Sequence, residues 1–172
     1  MTPDAPVLTV VPASAELCAD LPNWFADAVE LATWGGPGLD FPLTPTAIAA
    51  MLAEAACQPP ARLSFCGVVA GEVVAHAQLA LDWTNGVARL GRVALKPAAR
   101  RHGLARPFLR QVMARLAPLG DFPRLELNVY TFNHRAMALY ESLGFEREGV
   151  RRSSARVGQA RWDTAIYAII TG

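Results

Sequence analysis

Two stretches of this 172-residue chain hold residue types whose spacing could do chemistry. The first is Arg100-Arg101-His102-Gly103-Leu104-Ala105-Arg106. It lies between an apolar run that reads as a strand and one that reads as a helix. A helix start presents several unpaired N–H groups and about half a positive charge, which suits a phosphate. Gly103 lets a ligand approach the main chain with no Cβ in the way. Ala105 keeps the next approach point small. Arg100, Arg101 and Arg106 add cationic donors, and His102 could touch a phosphate. By itself the run is equally a plain strand-turn-helix with solvated arginines. The second stretch runs from Asn133 to Phe145 and contains Tyr140. Asn133 suits a helix N-cap. Tyr140 shares a helix face with Ala136 and Leu143, so alone it reads as a core tyrosine.

These residues need elements to position them. Val7 to Val11 reads as a short strand closed by Pro12. Ser14 suits the cap of a first helix reaching Leu31, with a break or restart at Pro22. The run from Trp34 to Pro45 is too rich in glycine and proline to be anything but loop. A second helix is predicted from about Thr46 to Ala56. Strands follow over 63–70, 73–81 and 87–95, with Asn85-Gly86 as a hairpin turn. Gly91 hints at a bulge or a close backbone approach. A helix from about Gly103 to Ala117, a strand over 125–130 and a helix from Asn133 to a stop at Gly144 come next. Strands over 145–152 and 162–170 close the chain around a 153–159 loop. The strand ending at Leu95, its helix and the strand near Leu125 form a βαβ unit, whose two strands must be parallel.

Composition sets the outer limits. Length fits one domain over residues 1–172, and the 52% hydrophobic content argues for a packed core rather than disorder. The formal net charge of +1 gives no global pull towards nucleic acid or anionic membrane. Cys18, Cys57 and Cys66 form no metal spacing and read as free thiols in a reducing compartment. The Met1 to Pro6 segment has no basic leader region, and no apolar run is long enough to span a bilayer. The expectation is a soluble cytoplasmic protein without a metal.

Taken together, the two stretches resemble the GNAT superfamily of N-acetyltransferases. Arg-x-x-Gly-x-Ala, preceded by Val-x-x-x-Pro, resembles that family's pyrophosphate motif. Asn-x-x-Ala-x-x-x-Tyr-x-x-x-Gly-Phe resembles its second motif, in the expected order. The continuation Glu146-Arg-Glu-Gly-Val-Arg-Arg resembles the branch that acetylates protein N-termini, ribosomal ones included. The resemblance implies an α/β (α+β) fold. Its central sheet is mixed, mostly antiparallel and of about six or seven strands. Helices cover both faces, and one parallel strand pair is splayed. Residues 87–145 would form the CoA-binding core.

The resemblance also implies roles. The main chain of Val93, Ala94 and Leu95 would pair with the pantetheine arm of acetyl-CoA, and Gly91 would open the gap. The amides from Arg101 to Arg106 would hold the pyrophosphate, and Asn133 would orient the arm. A backbone N–H at Val93 or Leu95 would stabilise the oxyanion, and Tyr140 would act as general acid. The acceptor is an amine, walled by a loop over 33–46 that holds Trp34, Leu39, Asp40 and Phe41. The general base stays open among Glu126, Asn128, Asp82, His76, His134 and water. A non-catalytic CoA sensor or scaffold on the same fold is the alternative, and edge pairing into a homodimer is allowed. Arg147, Arg151, Arg152, Arg156 and Arg161 are either a solvated face or a lure for an acidic acceptor or RNA.

Overall fold

The structure is a computed structural model that describes residues 7–171. The segment from Met1 to Pro6, read above for leader signals, lies outside the described residues. The elements are β1 (Thr9–Pro12), α1 (Ala28–Gly35), α2 (Pro45–Ala53), β2 (Arg62–Val69), β3 (Glu72–Asp82) and β4 (Val87–Leu95). Then come α3 (Ala105–Met113), β5 (Arg124–Tyr130), α4 (His134–Ser142), β6 (Glu146–Val157) and β7 (Ala160–Ile170). The seven strands form one sheet in the order β1-β2-β3-β4-β5-β7-β6, antiparallel except for the β4–β5 pair. No helix among the described residues is long and apolar enough to cross a membrane.

Strand alternation sorts the side chains onto two faces. On one face Ala75, Ala77, Leu79, Leu90 and Leu127 pack beneath α3 and α4, where Phe108, Leu109 and Val112 are fully enclosed. Gly67 is obligatory there, because a Cβ would meet the Phe108 ring at 2.8 Å. On the other face a smaller cluster of Leu21, Trp24, Leu31, Ile48 and Met51 packs beneath α1 and α2. Cys18 and Cys66 are buried there with their sulfurs 3.9 Å apart, whereas Cys57 is exposed.

Four expectations change in detail. The segment after Ser14 is not a long helix but a series of turns with a short 3-10 helix over Leu21–Trp24. Pro22 removes a donor, and a new helix begins only at Asp27, whose carboxylate accepts from Glu30 N at 2.8 Å. That helix runs through Trp34 and Gly35, so Trp34 sits on α1 and the loop starts at Gly36. The helix predicted over 103–117 is α3, trimmed to Ala105–Met113 with turns beyond it. The supposed 153–159 loop is strand apart from its tip at Gly158 and Gln159. Ser153 and Ser154 form a bulge held by Asp163 and Thr164 across the ladder. A polar Ser-Ser pair reads as loop in sequence, but here its groups are satisfied by the neighbouring strand.

Candidate active site

The site begins where the parallel pair parts. The ladder between β4 and β5 runs only from Val87–Arg124 to Leu90–Leu127, although β4 continues to Leu95 and β5 to Tyr130. Opposite, β3 pairs Gln78 with Gly91 and His76 with Ala94. Two residues of β4, Arg92 and Val93, thus stand against one of β3, which is a bulge. Arg92 adopts a φ of 48°, a left-handed conformation that side chains disfavour. The bulge falls one residue beyond Gly91, and Gly91 itself faces open space.

The bulge is clamped. The Arg92 carbonyl accepts from Trp34 Nε1 at 2.7 Å and from His76 Nδ1 at 3.1 Å. A carbonyl only accepts, so the His76 proton lies on Nδ1. Phe25, Trp34 and His76 stack in series, with ring centroids 4.9 and 5.6 Å apart. Burial drives the His76 pKa down to about 4. The bond to Arg92 O opposes that shift and the Arg92 charge adds to it. The ring is therefore neutral at physiological pH. Sequence reading missed this device, because its partners lie 58 and 16 residues from Arg92.

Past the bulge, Lys96 N donates to Val74 O on the β3 side. Alternation then turns the Val93 and Leu95 N–H groups away from β3 and into the gap. The gap opens into a cleft of about 990 Å³ that reaches both faces of the sheet. At its lower end lies the 100–106 run. Among the described residues, the amides of Arg101, His102, Gly103, Leu104, Ala105 and Arg106 have no backbone acceptor. Arg101 and Gly103 have positive φ, 68° and 73°, which curls the chain so that these amides form a nest. Arg101, Gly103, Leu104, Ala105 and Arg106 line the cleft; His102 does not. Arg100 also lines it, but its guanidinium is occupied by Leu95 O, Trp24 O and Glu30, bracing β4 against α1.

Asn133 caps α4 through Ala136 N at 3.2 Å and lines the cleft. Tyr140 also lines it, with its ring buried edge-on to Phe145 at 5.9 Å. Burial pushes the Tyr140 pKa up to about 12, so the phenol keeps its proton.

The other half of the cleft opens towards α1. It is lined by Thr33, Trp34, Asn128, Tyr130, Arg151 and Thr164. Tyr130, Phe132 and Trp162 form an aromatic cluster at its edge. Of the side chains considered as general base, only the Asn128 amide, which has no basic group, lines the cleft; Glu126, Asp82, His76 and His134 do not. Glu126 is gripped by Arg89 and Arg124. Burial opposes its ionisation, but those hydrogen bonds outweigh burial and hold its pKa below the usual carboxylate range. Asp82 caps the hairpin turn through Thr84 N, Asn85 N and Asn85 Nδ2. His76 is buried in the clamp, and His134 is exposed on the first turn of α4. Among the described residues, the sole lining carboxylate, Glu30, is held by Arg100 and by Ala26 N.

The model of the Acetyltransferase (GNAT) family matches residues 29–145. The chain belongs to the GNAT acetyltransferase family. Among its relatives, the N-alpha-acetyltransferase RimI of Mycobacterium tuberculosis is 36% identical over 88 residues, 44% of this chain and 51% of that protein. The ribosomal protein bS18 alanine N-acetyltransferase of Escherichia coli K12 is 36% identical over 101 residues, 58% of this chain and 65% of that protein. The chain thus spans between half and two thirds of the length of these curated relatives. The GNAT fold is also that of the crystal structure of the Escherichia coli bS18 alanine N-acetyltransferase. The two align with a TM-score of 0.72 at 24% identity over 96% of each chain. Spermidine N-acetyltransferase from Vibrio cholerae, in complex with CoA and spermine, aligns with a TM-score of 0.80 at 16% identity over 95% of each.

Proposed function

We propose that this GNAT-family chain transfers an acetyl group from acetyl-CoA to a primary amine by direct attack within a ternary complex. The amine belongs to a small molecule or to a peptide N-terminus. The names of the curated relatives favour the peptide. The observation that carries the reading is a single two-sided cleft. It is lined by unpaired amides at one end, splayed backbone in the middle and a protonated tyrosine beside it.

Acetyl-CoA supplies the acetyl group as a thioester. The amides from Arg101 to Arg106 suit its pyrophosphate, with Arg101 and Arg106 adding charge. The free main chain of Val93, Ala94 and Leu95 suits the amide-bearing arm, which would extend β4 as a strand does. A Val93 or Leu95 N–H is aimed where charge develops on the carbonyl oxygen. The C–N bond forms as the C–S bond breaks. Tyr140 gives its proton to the departing sulfur and regains one from solvent. Among the described residues, no carboxylate or imidazole lining the cleft is free to act as base, so the amine proton leaves through water.

The test is release of free thiol from acetyl-CoA over a panel of small amines and peptide N-termini. Saturable, acceptor-dependent release is expected. Thermal stabilisation by acetyl-CoA without release from any acceptor would favour a CoA sensor instead. Stabilisation by ATP or NAD, and none by CoA, would remove both readings.

A further inference from the structure

The cleft is lined by seven arginines, of which only Arg89 and Arg100 are ion-paired among the described residues. Arg101 and Arg106 belong to the amide nest, and Arg135 follows on the first turn of α4; these lie with the donor. Arg92 and Arg151 do not.

Arg92 is the bulge residue. Its Nη1 donates to Gln78 Oε1 at 3.2 Å, and Arg62 Nη1 reaches the same oxygen at 3.4 Å. Arg62 also holds Glu54 at 3.1 Å. Arg92 and Arg62 thus share a neutral amide oxygen, the Glu54 carboxylate pairs with Arg62, and the positive charge of Arg92 is left half-buried without an ion-pair partner among the described residues. Its centre lies 6.0 Å from the Trp34 ring, which supports it from one side. Arg151 sits on β6 opposite Thr164, on the sheet face of Tyr130 and Asn128. It has no ion-pair partner among the described residues. Among the described residues, the acceptor half thus holds two cations without an ion-pair partner, and the one carboxylate lining the cleft, Glu30, is already committed to Arg100.

We infer that the acceptor carries a carboxylate close to its reactive amine, and that Arg92 and Arg151 seat it. This rests on the acetyltransferase reading above. Guanidinium forks match carboxylates, and a partly desolvated one gains most from such a partner. The same charges disfavour an ammonium ion in the cleft, so the amine is held in the neutral form that attacks. That accounts for a cleft with no free base. A polyamine, or an acceptor flanked by lysine, would bring like charge into the site.

The experiment compares three peptides that share an N-terminal alanine and differ only at the next residue, aspartate, asparagine or lysine. Thiol release from acetyl-CoA is measured at low and high salt. The aspartate peptide should exceed the lysine peptide in kcat/KM by about tenfold or more at low salt, with the ratio shrinking as salt rises. Free aspartate and glutamate form a second arm, which separates an amino acid from a peptide as the source of the carboxylate. Arg151→Glu should invert the order of the charged peptides, and Arg92→Gln should flatten it. Thermal stabilisation by CoA reports that each variant is folded, and Arg151→Glu, on an exposed strand, serves if Arg92→Gln does not fold. Lysine or neutral acceptors used as fast as acidic ones would overturn the inference alone. No release from any acceptor would overturn the acetyltransferase reading and this inference with it.

Discussion

The two halves of the cleft are built on different principles. The donor half is mostly main chain: unpaired amides at 101–106 and the free edge of β4 at 93–95, drawn from contiguous sequence. The acceptor half is made of side chains from α1, β4, β5, β6 and β7, brought together only by the fold. A main-chain site recognises what every acyl-CoA shares. A side-chain site can be altered one residue at a time, and the proposed function places acceptor choice there. Tyr140 and the clamped bulge stand where the halves join.

That contrast can be broken most forcefully at the junction. Tyr140→Phe should lower kcat by about a thousandfold, because general acid help is lost, while stabilisation by CoA persists. An unchanged rate would take Tyr140 out of the chemistry and make the junction purely architectural. Beneath the acceptor half, His76 links the clamp to pH. Its folded pKa is about 4 against an ordinary 6.5. The lowered value means that its contribution is complete above pH 6.5 and is lost as pH falls towards 4. The loss should approach roughly 3 kcal/mol, read as a fall in urea midpoint that His76→Gln flattens. A wild-type profile as flat as the variant's would show that the ring charges without penalty.

On the donor side, Gly103→Val places a β-branched residue at a φ of 73° beside the pyrophosphate nest. The KM for acetyl-CoA should rise by about tenfold while the acceptor KM holds. On the acceptor side, Trp34→Phe deletes one donor to the Arg92 carbonyl and keeps the ring. A severalfold fall in kcat/KM for the acceptor, with CoA binding retained, corresponds to about 1 kcal/mol for that bond. Equal effects of these two variants on both substrates would erase the distinction between the halves.

Legibility in the sequence followed the same division. The sheet, the parallel pair and the donor loop could be read because each depends on local pattern: alternation, Asn85-Gly86, and a strand-turn-helix around Gly103. Spacing alone made Asn133 a helix cap and Tyr140 a core tyrosine, and their proposed roles came only from the resemblance of the Asn133 to Phe145 run to the family's second motif. The clamp could not be read, since Trp34 looked like loop and His76 like a candidate base. The bulge was placed at Gly91 because glycine usually marks one. Two tertiary hydrogen bonds instead hold Arg92 in the strained position. Glu126 looked available as a base, but Arg89 on β4 and Arg124, two residues away on β5, enclose it.

Amide hydrogen exchange with and without CoA tests the main-chain donor site most directly. Protection should appear at the amides of Arg101 to Ala105 and at Val93 and Leu95, where no protein acceptor competes. Thermal stabilisation by CoA with exchange at those amides unchanged would contradict the account and place the ligand elsewhere.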